Sequence, residues 1–306
     1  MSAQWVAGNV RASALLNRRL GVGRARSLAA MNSLTDAQHT LAATAYGREI
    51  AVGQPVLDTD HAVCAALLWH LRVLAGWQPP QGALAIRALA AGFEASNIAA
   101  HARRLAGAPV PPPHTLGALA TAWPRLSETS SLSALRDTLA QTMWGDPGSE
   151  SPADIGLAVQ IGWPARVANA VPEARDWAYA RLALAVARRR LVEQRELPAP
   201  VLMRARRVLG AAAGASDLAS FTDSLATRFG WLFDGITEAD GLWTAEARWW
   251  ARVEADGLTM MGRSQFTRAR TIGAVAVLAV DAWRCRAALA LAARGGGPMD
   301  VYDVLT

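Results

Sequence analysis

The residues with the strongest claim to chemistry lie between Asp58 and His70. His61 and Cys64 stand three apart, on one face of a predicted helix, where an imidazole and a thiolate could share a zinc ion. A zinc site needs further ligands, and His70, nine residues from His61, points elsewhere on that helix. The expectation is therefore a helix start at Asp58 followed by core and surface residues, with no metal bound. Asp58 with Asp60, and Asp234 with Asp240, could hold magnesium diphosphate, but neither pair forms an Asp-Asp-x-x-Asp array on one helical face. Gly21-Val22-Gly23 contains the first half of a dinucleotide fingerprint. It follows a helix rather than a strand and lacks the third glycine, so it reads as a helix break.

Nucleophilic chemistry finds no frame either. The chain has no Gly-x-Ser-x-Gly elbow and no visible Ser/His/Asp arrangement. His39, His101 and His114 read as surface or satisfied polar residues. All 31 basic residues are Arg, which removes any Schiff-base or phosphate-loop lysine. Cys64 and Cys285 are far apart without a CxxC partner and read as buried small hydrophobes. No catalytic residue and no cofactor is expected.

The net charge is +6, yet acids and Arg alternate through most of the chain. A nucleic-acid binder gathers its positive charge on one stripe. Arg188-Arg189-Arg190 fans around a helix, so at most two of the three share a face. A solvated face or a protein contact is the expectation for them, and for Arg204, Arg206 and Arg207. Twelve Trp against three Tyr is unusual. Most read as core anchors, while Trp249 and Trp250, being adjacent, face different ways and leave one for an interface. Residues 1–11 hold no apolar run of signal-peptide length, and the charge-free stretch 105–124 is broken by prolines. The chain is expected to be soluble.

Hydrophobic residues make up 52% and charged ones 18%, which suits a packed core. Strand signatures are scarce and helix signals frequent, so the expected class is all-α. Asp58 precedes a run to Leu74, Ser216-Asp217 opens one to Arg228, and Pro172 and Pro200 sit at first-turn positions. Gly21, Gly47, Gly107, Gly145 and Gly295–Gly297 read as stops. In the last helix Ile272, Val275, Ala279, Trp283 and Ala287 form one apolar stripe, with Asp281 and Arg284 three apart on another face. The Pro-rich segment 108–114 reads as a stiff connector, 145–152 as a loop, and 210–216 as a soft join or helix end.

These punctuations divide the chain into helical modules at 1–110, 111–210 and 211–306. A long helix closes each, at Ile86–Leu105, Trp177–Glu196 and Arg270–Arg294. Residues 92–109 and 279–298 both place an acid after a hydrophobe (Glu94 after Phe93, Asp281 after Val280), then an Arg-bearing apolar helix and a glycine stop. The middle copy lacks that acid, and chance likeness between Ala-rich helices is the alternative explanation.

In this order, AGNVRASALLNRRLG (7–21), LAAMNSLTDAQHTLAATAYGREI (28–50) and AIRALAAGFEASNIAAHARRLAGAP (85–109) resemble the central-stalk connector of rotary V/A-type ATPases, a family with bacterial, archaeal and eukaryotic members. Asn9 and Arg11 match the family's opening Asn-x-Arg helix, Thr44 and Tyr46 its Thr-x-Tyr element, and Glu94, Asn97 and Ile98 its acid-x-x-Asn pattern. Val280–Arg294, with Asp281, resembles its acidic, Arg-rich last helix. The likeness covers the first 110 and last 40 residues; 199–262 cannot be aligned. The resemblance implies three helical modules in a pseudo-threefold, funnel-like arrangement, without an active site. It implies a rotor part that receives the shaft and caps the membrane ring, coupling ATP turnover to proton or sodium transport from the cytoplasmic face. Its partners would be the shaft and ring proteins, with no direct nucleic acid. The competing expectations are an Arg-rich helical adaptor for nucleic acid or protein, and an all-α enzyme whose site is not visible.

Overall fold

The computed structural model describes residues 3–262 and 265–298. Every regular element among them is helical, as the composition predicts. The helices are α1 (Val6–Leu16), α2 (Gly21–Ala29), α3 (Leu34–Ala42), α4 (Val56–Gly76) and α5 (Pro80–Leu105). Then come α6 (Trp123–Leu126), α7 (Leu132–Ala140), α8 (Pro152–Ala170) and α9 (Arg175–Ala187), the last running into a π turn at Arg188–Val192. The chain continues with α10 (Ala199–Leu209), α11 (Leu218–Phe233), α12 (Leu242–Gly262) and α13 (Arg268–Ala292). After α1, two shorter helices are followed by two longer ones, three times in succession.

The chain forms two compact units. One holds Met1–Arg87, His114–Leu119 and Ala251–Thr306; the other holds Ala88–Pro113 and Ala120–Trp250. In the first, α13 is the central element and packs on α1, α2, α3 and α4. Its sequence is apolar or small almost all round, the pattern of a helix surrounded by protein. The stripe expected at Ile272, Val275, Ala279, Trp283 and Ala287 is therefore no single inward face. Ile272 and Val275 are buried, whereas Ala279, Trp283 and Ala287 are only partly so. Asp281 and Arg284, expected to pair on a surface, are both buried. Arg284 instead pairs with Glu254 of α12. Where α12 and α13 cross, Gly257 and Gly273 let the backbones meet: a Cβ on Gly273 would lie 2.5 Å from the Gly257 carbonyl oxygen.

In the second unit α8 and α9 form the main helix pair. Ala91, Ala95, Ile98 and Ala102 on α5 build a core with Leu126 of α6, Leu135 and Leu139 of α7, Trp144, and Ile155 and Val159 of α8. The expected helix start at Asp217 is present: its carboxylate accepts from the Ser220 amide at 2.8 Å and caps α11. Pro200 lies in the first turn of α10, and residues 210–214 form a 3₁₀ turn that ends it. Gly107, at φ +84°, closes α5, with the Ala108 amide donating to the Arg103 carbonyl at 3.0 Å. The closing helix expected at Trp177–Glu196 ends at Ala187 and its π turn at Val192, the one expected from Ile86 begins at Pro80, and two further boundaries change role. α4 begins at Val56, so Asp58 lies inside its first turn. Gly21 opens α2 rather than stopping α1, because its amide is captured by a distant carboxylate described next.

Candidate functional site

Glu94 and Asp281 sit within long helices, almost without solvent contact, at 1% and 3% exposure. A buried carboxylate is costly unless donors surround it, and each is surrounded. Asp281 Oδ1 accepts from the Gly21 amide at 2.7 Å, and Oδ2 from the Leu20 amide at 2.9 Å and the Tyr46 hydroxyl at 2.8 Å. Two of these donors are amides at the start of α2, which no helical carbonyl can serve. Glu94 performs the same service in the other unit. Its Oε1 accepts from the amides of Thr121, Ala122 and Trp123 at 2.9, 2.7 and 2.6 Å, while Thr121 Oγ1 donates to Oε2. Those amides lead into α6. Each of the two acids that the sequence pairs across 92–109 and 279–298 thus holds the start of a short helix, α6 for Glu94 and α2 for Asp281.

The surroundings of the two acids recur as well. Ser33 caps α3 and Ser131 caps α7, each accepting from an amide three residues on. Thr44 Oγ1 donates to the Leu41 carbonyl at 2.7 Å and accepts from the Tyr46 amide at 3.2 Å. Thr142 Oγ1 donates to the Leu139 carbonyl at 2.8 Å and accepts from the Trp144 amide at 3.2 Å. The turn aims Tyr46 at Asp281 in one unit and buries Trp144 in the core beside α5 in the other. A basic side chain from the next long helix completes each set. The His70 imidazole feels the Asp281 charge, and the Arg166 guanidinium lies 4.4 Å over the Trp144 ring and feels Glu94. Burial, aided by Arg18 and Arg11, holds His70 below the usual imidazole range; Asp281 opposes them only in part.

Of the motif residues, Tyr46 and Asp281 touch, and Thr44 shapes the turn between them. Asn9 Nδ2 donates to Thr271 Oγ1 of α13 at 3.4 Å, tying α1 to the same helix. Arg11 is half-buried on α1. Asn97 is buried one turn beyond Glu94, in the other unit. Thr121, Thr142 and Trp144 escaped the sequence reading. The signal for Thr142 and Trp144 is the likeness of SLTDAQHTLAATAYG (33–47) to SLSALRDTLAQTMWG (131–145), which keeps Ser, Leu, Thr-Leu-Ala, Thr, an aromatic and Gly in register.

The set that follows the middle copy, which lacks the acid, departs from the pattern. α10 starts with Pro198 and Pro200, which carry no amide N–H, and the Val201 and Leu202 amides both donate to the Pro198 carbonyl at 2.9 Å. Few donors remain for a carboxylate to satisfy. The Gly stop is likewise replaced by Gln194 at φ +49°.

The other chemistry-bearing residues have ordinary partners. His101 Nδ1 accepts from Arg104 at 2.8 Å, which leaves Nε2–H to donate to Thr129 Oγ1 at 2.9 Å. His114 stacks on His61 with ring centroids 4.6 Å apart; burial, then the neighbouring His61 and Arg286, bring it down to about 4. Cys64 and Cys285 are buried free thiols, and burial pushes Cys64 up to about 11. Among the described residues no three His, Cys, Asp or Glu side chains gather as metal ligands. The Arg triplet is not a uniform solvated face. Arg188 is exposed, but Arg189 is buried and pairs with Asp154, and Arg190 pairs with Glu196 and donates to the Gly214 and Ala215 carbonyls. Arg204 donates to the carbonyls of Trp144 and Asp146, both at 2.6 Å, whereas Arg206 and Arg207 are exposed. Trp249 is buried and donates to the Trp177 carbonyl at 2.7 Å, Trp250 is half-buried, and Trp243 is exposed. No helix among the described residues is long and apolar enough to cross a membrane.

No family model matches the chain, and a search of curated proteins finds no match.

Proposed function

We propose that this protein is a non-catalytic connector between the central shaft and the membrane ring of a V/A-type rotary ATPase. The observation that carries the reading is the pair of buried acids. Glu94 and Asp281, both at positions of the family-like motif, each anchor the helix that follows in the repeat, and Tyr46 of the Thr-x-Tyr element is bound to one of them. A part that transmits torque needs elements tied to one another by buried polar contacts as well as by packing. The repeated order of two shorter and two longer helices supports three related modules. In this reading they surround a tapering cavity in pseudo-threefold, funnel-like fashion. Asp281 of the last helix anchors α2 of the first module, the contact a closed ring of modules requires.

On this reading the protein has no active site of its own. It works at the inner face of the membrane through protein contacts, in step with proton or sodium movement. The test is capture from native membranes. Tagged protein is expected to bring down both ring and shaft proteins in constant ratio. Recovery of neither, from membranes that hold an intact motor, would overturn the proposal.

A further inference from the structure

The outer face of α1 is wrong for a helix that ends its life in water. Placed at 100° per residue, Gly8, Asn9, Ala12, Leu15 and Leu16 form its buried side. The opposite side is Val6, Ala7, Val10 and Ala14, all exposed, with Val10 at 56%. A solvent-facing side should carry polar residues. The same corner of the first unit has an unbalanced charge. The first acidic residue of the chain is Asp36, after five Arg. Arg18, Arg19 and Arg24 are exposed. All three lie at or just before the N-terminal turn of α2, where the helix dipole repels cations. Asp281 is buried beneath that turn, with both oxygens occupied by Leu20, Gly21 and Tyr46.

We infer that this corner is a docking surface for an α-helix of a partner protein that carries carboxylates at one end. Val6, Val10 and Ala14 form a ridge at steps of four, about 12 Å long, suited to a close helix crossing. The exposed guanidinium groups of Arg18, Arg19 and Arg24, one turn further on, select for acidic side chains. The shape and composition of the ridge favour a protein over a bilayer. The ridge is shallow, of Val and Ala, without the Trp, Phe or Leu that anchor an interfacial helix. The inference stands independently of the rotary-motor reading, since it names only the chemistry of the partner.

The experiment places a benzophenone amino acid at Val10 of the full chain, in its native cells, and sequences the cross-linked peptides. The expected product is one other protein, joined at a helical segment with apolar residues at steps of three and four and Asp or Glu beside them. Arg18→Glu/Arg19→Glu/Arg24→Glu should cut that product at least tenfold while circular dichroism and melting stay unchanged. Replacing the partner's acids by Arg should restore it. Cross-links only to a second copy or to phospholipid would overturn the inference, as would a peptide without acids. No cross-link at all, or a yield indifferent to the charge reversal in a folded variant, would do the same.

Discussion

Asp281 holds three donors at once, so its removal exposes more than its own cost. Asp281→Ala leaves the buried Leu20 amide and Tyr46 hydroxyl and the half-buried Gly21 amide without this partner. Each such group costs about 1–3 kcal/mol, so urea unfolding should show a loss of about 3 kcal/mol or more. Asp281→Asn, which keeps one acceptor oxygen, should lose less, and equal losses from the two variants would refute this role. A second residue, His114, makes stability depend on pH. His114 is neutral where it stacks on His61, and its folded pKa, about 4, lies below the ordinary 6.5. The unfolded chain therefore takes up a proton first. The stability it confers is complete above pH 6.5 and is lost as pH falls toward 4, at most about 1.4 kcal/mol per pH unit. Melting temperatures between pH 7 and 4 should fall less steeply in His114→Gln than in the parent chain.

At the scale of helices, the crossing of α12 and α13 depends on two missing side chains. Gly273→Ala puts a methyl 2.5 Å from the Gly257 carbonyl oxygen and 2.8 Å from the Met260 Cβ, so the helices must part. Overpacking of this kind costs about 1–3 kcal/mol, although Ala is the better helix former. A melting curve for Gly273→Ala at or above that of the parent would contradict the crossing. The helices themselves are largely legible in the sequence: Asp217, Pro200 and Gly107 mark ends where the chain turns. The burial of α13 is not. In an Ala-rich helix with small residues on every side, periodicity cannot say which face is inward, and so the pattern puts Asp281 on the surface. Gly21 misleads for a related reason, since its role depends on a carboxylate 260 residues away. The likeness of 33–47 to 131–145 is readable locally, but the partners of its aromatic residues, Asp281 and the α5 core, are not.

Over the whole molecule the absence of lysine acquires a structural meaning. Arg189, Arg190, Arg204, Arg284 and Arg286 are engaged with carboxylates or carbonyls of their own unit, where a planar fork of donors serves better than an ammonium. Other arginines are exposed, among them Arg18, Arg19 and Arg24 beside an apolar helix face. Helices anchored by buried acids suit the transmission of force that the proposed function requires. The most direct measurement is ion uptake driven by ATP in native membrane vesicles depleted of this protein. The account predicts that ATP hydrolysis continues while uptake is lost, and that adding back the purified chain restores uptake. Undiminished uptake in fully depleted vesicles would contradict it.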